Sequence, residues 1–359
     1  MRIGILGGGH GSYAAAADLS DQGHSVALWR RSAGQFGQLL EHRLLSLQDH
    51  AGTRSVRLDT VTDSLARAIS GAELLLLFSP AFAQQDMAAA VAPHLVDGQV
   101  LFLAPGTLGS VAMARGIRAA GSKARVTFAE TGTLPYLARK HGPSEVAITI
   151  RAKRLPTGVF PAVRTAEAMA CLQQAYPCVH PIEDALSGAL MNAGPIIHPP
   201  LILMNAGPLE HFERWDIHNE GTQPSIRRVT DDLDGERIAI REALGYAPYH
   251  YPLRDHYESD CWMYGDAHDR LVGSGDWREH IRLTEHRYMT EDVAFGLSLL
   301  VSIGVHAGVP TPVASGLLAL GRSVCGGSFL YGERTLATLG LDTLSREAWQ
   351  AMLQQGLDA

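Results

Sequence analysis

Met1-Arg-Ile-Gly-Ile-Leu6-Gly7-Gly8-Gly9-His10-Gly11-Ser12-Tyr13-Ala-Ala-Ala-Ala-Asp-Leu19 decides how the first half of this chain folds. An apolar strand runs straight into a glycine turn, and the turn opens an alanine-rich helix over Tyr13 to Leu19. That strand-turn-helix order is the context a dinucleotide fingerprint requires. Gly7 allows the tight turn, and Gly9 lets backbone approach a pyrophosphate. Ser12 takes the third position, where a small residue is needed for helix-strand packing, in place of the usual Gly or Ala. The free N–H groups at the helix start, at His10 and Gly11, then face the phosphates.

Working outward, short apolar runs alternate with helical stretches up to about residue 180. Strands are expected at Arg2 to Leu6, Ser25 to Trp29, Glu73 to Ser79, Gln99 to Leu103, Arg125 to Ala129 and Glu145 to Ile150, making a parallel sheet with crossover helices. Pro80, Pro105-Gly106 and Thr131-Gly132 punctuate their C-terminal ends, so Ser79 and Pro105 join the candidate cofactor residues at the edge where open parallel sheets bind ligands. After the second strand stand Arg30-Arg31-Ser32, where an NAD site carries an acid for the ribose hydroxyls. Two guanidinium groups and a hydroxyl suit a 2'-phosphate, so NADP(H) is expected in preference to NAD(H).

From about Ile182 the periodicity becomes helical, as in Asp231 to Leu244 and Glu291 to Ala307. Asp231-Asp232 are expected in the first turn of their helix, where negative charge is favoured. The division expected is therefore a dinucleotide-binding domain over residues 1–181 and an all-helical catalytic domain over 182–359. Tyr246 to Gly275, rich in Tyr, His, Asp, Pro and Gly, reads as an irregular excursion. Its His250, Asp255, His256, Asp260 and Asp266 have no metal-ligand spacing, so no metal is expected.

The bulk numbers exclude other classes. With 359 residues, 46% hydrophobic and 19% charged, the chain is an ordinary globular protein. A net charge of −7 argues against a nucleic-acid surface. A strand starting at Met1 leaves no room for a signal peptide, and apolar runs such as Leu74 to Phe78 are strand-sized, so a cytoplasmic location and no membrane are expected. Cys171, Cys178, Cys261 and Cys325 lie far apart and are expected to be reduced.

Three stretches of the second half combine ionisable residues with Gly and Pro: Asn192-Ala-Gly-Pro-Ile-Ile-His198-Pro199-Pro200, Thr222-Gln-Pro-Ser225 and Arg287-Tyr-Met-Thr-Glu291-Asp292-Val293. Together with Pro105-Gly106, Asp234-Gly-Glu-Arg-Ile-Ala-Ile240 and Gly308-Val-Pro-Thr-Pro312, they make the chain resemble the opine dehydrogenase family, in particular its bacterial N-(1-carboxyethyl)-norvaline dehydrogenase branch. The resemblance runs over nearly the whole chain, and its most specific parts are the His-Pro pair and the Arg-Tyr-x-x-Glu-Asp run. It implies a Rossmann domain followed by a helical domain like that of 6-phosphogluconate dehydrogenase, with the active site in the cleft between them. It also implies reductive condensation of an amino acid with a 2-oxo acid.

On this reading His198 is the general acid/base and Asp292 holds its ring. Arg287 forks onto a substrate carboxylate, and Asn192 contacts substrate or nicotinamide. The bland alternative makes Arg287 and Asp292 a surface ion pair. That branch places an Asn four residues before the histidine, where this chain has Gly194, which puts the contacts on that side in question. Two other readings stand beside it: a carbonyl reductase of ketopantoate or glycerol-phosphate type, and a non-catalytic NADP(H) sensor. The former usually centres on a lysine, and no lysine occurs among these motifs. A homodimer is expected from the apolar surface of a helical second half.

Overall fold

In the computed structural model of the protein, residues 1–249 and 281–358 are described. The expected cluster from His250 to Asp266, and Cys261 with it, lies outside them. The chain divides into two compact units, Met1–Ala189 with Ala351–Ala359, and Leu190–Gln350. The expected boundary at 181/182 stood eight residues earlier, and the last residues were expected in the second domain.

The first unit carries twelve strands: β1 (Arg2–Leu6), β2 (Ser25–Trp29), β3 (Leu44–Asp49), β4 (Gly52–Arg57), β5 (Thr60–Thr62), β6 (Leu74–Leu77), β7 (Val100–Leu103), β8 (Thr127–Thr131), β9 (Tyr136–Lys140), β10 (Glu145–Arg151), β11 (Leu155–Phe160) and β12 (Val179–Pro181). Eight form one sheet in the order β12-β11-β8-β7-β6-β1-β2-β5. All its pairings are parallel except β11 with β8. Central strands such as Leu74–Leu77 are buried at every position, which is why they read as continuous apolar runs. Strand order reverses direction at β1, between β2 and β6, and this switch point is where such sheets receive a ligand.

One expectation is corrected here. Glu145 to Ile150 does form a strand, but it joins a separate four-stranded sheet, β4-β3-β10-β9, that the sequence reading did not foresee. The second sheet explains the alanines. The helix His10–Asp21 packs against β1 and β2 of the main sheet and β3, β4, β9 and β10 of the other, and Gly11 through Leu19 are all buried. A helix enclosed between two sheets has no solvent face, and only short side chains let both backbones approach. Asp18, the charged member of that run, is satisfied by Tyr136 Oη at 2.9 Å and Arg151 Nε at 2.8 Å. Arg151 also meets Asp49 at 2.6 Å, and Arg54 bridges Asp49 at 2.8 Å to Asp21 at 2.6 Å. These guanidinium groups, Arg54 first, hold the Asp49 carboxyl well below the usual carboxylate range.

Among the described residues, the second unit is helical and contains no strand. Its helices include Gly194–Met204, Pro224–Ala243, Ser298–Ala307 and Pro312–Val324, with a π-helix at Tyr288–Leu297. The helix expected from Asp231 starts at Pro224 instead, because proline is pre-organised for a first turn; Asp231 and Asp232 are therefore exposed mid-helix residues. The 20 residues Tyr288–Ala307 exceed the strand-sized apolar runs expected and have the length and composition of a membrane span, but 83% of that window is buried inside the protein, as in a core helix. Two quoted motifs prove to be scaffold. Glu236 accepts from the Val313 and Ala314 amides at 2.6 and 2.9 Å, capping the helix after Gly308–Pro312, and Asp234 pairs with buried Arg237 at 2.7 Å.

Candidate active site

A candidate nucleotide site lies in the first unit. Gly7 has φ of 149°, and a Cβ there would stand 2.8 Å from Ser12 Oγ, so the turn and the third fingerprint position are packed on each other. Gly9 differs: no heavy atom lies within 4 Å of where its Cβ would be, so protein packing leaves that position open. A dinucleotide pyrophosphate fits this arrangement, since a side chain at Gly9 would fill the space through which phosphate reaches the backbone. The first helical turn carries no acid and no side-chain cap, leaving its amides for an anion. Ser79, just beyond β6, has a buried Oγ without a hydrogen-bond partner among the described residues, and Pro105 follows β7 in a cis peptide with Ala104. Gly7, Gly9, Ser79 and Pro105 thus stand just beyond the C-terminal ends of β1, β6 and β7, and Gly11 and Ser12 in the first turn of the helix that follows β1.

Arg30, at the end of β2, lies across the glycine loop. A Cβ on Gly8 would collide with its Nε, so a side chain there would have to shift the guanidinium. Its guanidinium donates to Tyr13 Oη at 3.1 Å and the Gln35 carbonyl at 2.6 Å. Arg31 and Ser32 are exposed and are not drawn into this cluster by any hydrogen bond of their side chains. His10 accepts the Lys140 amide at Nδ1, 2.8 Å away, tying the loop to β9.

A candidate acid/base pair lies in the second unit. His198 Nδ1 and Asp292 Oδ2 are 2.8 Å apart, with the carboxylate side chain 2% exposed and the imidazole 20% exposed. Asp292 is therefore no surface ion-pair member. With Nδ1–H donated to the carboxylate, Nε2 is the basic nitrogen, and it has no hydrogen-bond partner among the described residues. Burial pushes the imidazole below its ordinary value; Asp292 opposes this, and the positive fields of Arg287 and His286 add to it. Arg287 is exposed and close enough for its charge to be felt at His198.

Local structure puts these groups in place. Asp292 sits on the π-helix, a wide winding often found at functional sites. At Gly296 a Cβ would collide with Pro195, and at Gly194 it would collide with Asp292 Oδ1, so both glycines let the π-helix and the Gly194–Met204 helix touch. The departure at Gly194 thus has a physical reason: an Asn there would displace the carboxylate that holds His198. Asn192 is 6% exposed and its Oδ1 accepts from the Gly194 amide at 3.0 Å, a local task at the start of that helix.

Sequence reading missed the aromatic support. Tyr288 stacks on His198 with ring centroids 3.7 Å apart and planes 11° from parallel, and its hydroxyl meets His218 Nε2 at 2.9 Å. His286 packs edge-on to the same ring at 4.4 Å. Tyr288 lay inside the Arg-Tyr-x-x-Glu-Asp run, so the signal was present; Gly8, Tyr13 and Lys140 had no motif to mark their part.

Comparison with known proteins agrees with both halves. Residues 181–325 match the family described as NAD/NADP octopine/nopaline dehydrogenase, alpha-helical domain, and residues 3–149 match ketopantoate reductase PanE/ApbA. The opine dehydrogenase of Arthrobacter sp. (strain 1C) is 27% identical over 352 residues, covering 95% of each chain. Among solved structures, octopine dehydrogenase with NADH and L-arginine superposes with a TM-score of 0.74 at 18% identity, covering 99% of this chain and 98% of that one. Yersinopine dehydrogenase with NADP+ bound gives 0.68 at 17% identity, over 99% and 98%. The helical second unit thus matches the octopine/nopaline dehydrogenase type, and along nearly its whole length the chain is similar to an opine dehydrogenase.

Proposed function

We propose that this protein catalyses the NADPH-dependent reductive condensation of an amino acid with a 2-oxo acid such as pyruvate, giving an N-(carboxyalkyl) amino acid and water, and the reverse oxidation. The observation that carries this reading is the His198–Asp292 pair, a buried carboxylate fixing an imidazole whose Nε2 has no hydrogen-bond partner among the described residues. The bound nicotinamide dinucleotide supplies the hydride that reduces the C=N carbon. His198 handles the protons: in condensation its Nε2 enters as the imidazolium and protonates the hydroxyl that leaves as water, and in the reverse oxidation the neutral ring accepts the amine proton. Asp292 fixes the tautomer and stabilises the imidazolium. Arg287 binds a substrate carboxylate through paired N–H donors. NADPH is preferred because Arg30 stands where an NAD site carries its acid.

The match of residues 3–149 to ketopantoate reductase favours a second reading, reduction of a carbonyl without an amine. One assay separates them: NADPH oxidation with pyruvate and a panel of amino acids together, and with each alone. Oxidation only when both are present is expected. Oxidation with the oxo acid alone refutes the condensation, and none under any condition leaves a nucleotide-binding sensor.

A further inference from the structure

Lys140, the last residue of β9, brings a second cation to the glycine loop. Its ammonium lies 4.2 Å above the Tyr13 ring centroid, and the Arg30 guanidinium lies 5.8 Å from the same centroid. Both side chains are half-buried, and neither has a carboxylate partner among the described residues. Two like charges partly removed from water over one ring are unfavourable; the ring face offsets only part of that cost. Burial lowers the Lys140 pKa from its ordinary value, and Arg30 lowers it further. The partly buried Arg54 and Arg151 of the same unit, by contrast, are neutralised by Asp21, Asp49 and Asp18. A pair of uncompensated cations beside a phosphate-binding turn is what an added anion would stabilise.

We propose that Lys140 and Arg30, over the Tyr13 ring, together bind the 2'-phosphate of NADP(H), so that a residue of the second sheet sets cofactor preference. This rests on the reading that the cofactor is NADP(H), and extends it to a residue more than a hundred positions from the fingerprint. Arg30 is positioned by Gly8 and Tyr13, while Lys140 is positioned by the bond from its own backbone amide to His10. That backbone bond survives any substitution of the lysine side chain except proline. The lysine is a point charge and the arginine a fork, a combination that can contact different oxygens of one phosphate monoester.

The test uses titration calorimetry on the full chain with adenosine 2',5'-bisphosphate and adenosine 5'-monophosphate, which differ by the 2'-phosphate alone. Wild type should bind the bisphosphate more tightly. Lys140→Gln should weaken the bisphosphate by about tenfold to a hundredfold and leave the monophosphate within twofold, and Lys140→Arg should restore most of the loss. The ratio of kcat/KM for NADPH to that for NADH should fall by the same factor. Equal weakening of both probes, or of neither, overturns the assignment of Lys140. If the bisphosphate advantage disappears in Arg30→Gln but persists in Lys140→Gln, only the lysine's role fails. If wild type itself shows no advantage, the NADP(H) reading fails with it.

Discussion

Replacing Asp292 by Asn keeps the side-chain volume and removes the charge that faces His198 at 2.8 Å. Two consequences follow from that geometry. A charge-assisted hydrogen bond to a carboxylate contributes about 1.5–3 kcal/mol, and 1.36 kcal/mol is a decade in rate, so kcat should fall by about tenfold to a hundredfold. The amide can also present its NH2 to Nδ1 and favour the wrong tautomer, which adds to the loss. The second consequence has a sign. Asp292 opposes the lowering of the His198 pKa by burial, so its removal lets that pKa fall further. Condensation needs the imidazolium and declines as pH rises through this pKa; oxidation needs the neutral ring and declines as pH falls through it. In Asp292→Asn both limbs should move toward acid. Stopped-flow and steady-state pH profiles of both directions provide the assay, with NADPH affinity and thermal unfolding as controls. A kcat within threefold of wild type, or a limb moving toward alkali, would refute the assigned role of the pair.

His198→Asn should lower kcat by about a hundredfold or more while the dissociation constant for NADPH stays within twofold, read by fluorescence titration; retained turnover above a tenth of wild type excludes the imidazole as the acid/base. Gly194→Ala introduces a Cβ into Asp292 Oδ1 and should cost about tenfold to a hundredfold in kcat by displacing the carboxylate, with the nucleotide dissociation constant unchanged. Tyr288→Leu, which removes the stacked ring, should lower kcat more than Tyr288→Phe, which removes only the bond to His218; equal effects would show that the hydroxyl alone matters. Asp49→Asn should destabilise the protein by about 1 kcal/mol near neutral pH, a modest figure because the Arg54 and Arg151 side chains are about a third exposed. Since the folded-state pKa of Asp49 is depressed, its contribution is complete above the unfolded carboxylate range and is lost as pH falls below it; the gap between the two denaturation midpoints should narrow between about pH 4 and pH 2.

What the sequence displayed and what it concealed divide along a physical line. β1 and β2 were legible to the residue because a strand buried on both faces has no polar alternative, and the glycines after β1 have few other uses. His198 and Asp292 were legible through family motifs, although 94 positions separate them and only the packing of the π-helix on Gly194 and Pro195 makes them partners. The second sheet was not legible. Strands such as Leu44–Asp49 and Gly52–Arg57 bury only some of their residues, and their polar faces read as loop.

That omission concealed the feature with the widest consequences. Ala14 to Ala17 are fully buried because sheets lie on both sides of their helix, and the same enclosure delivers Lys140 to Tyr13 and the Lys140 amide to His10. A lone lysine before His141 carries no motif, and its partners lie more than a hundred residues upstream. Periodicity can identify an element that buries one face, but it cannot say which strand will cover the other. The proposed 2'-phosphate site is therefore divided between a visible arginine after β2 and a lysine whose place depends on the second sheet lying over the alanine helix. Exchanging Arg30 alone for an acid should leave residual affinity for the 2'-phosphate, and exchanging both cations should abolish it.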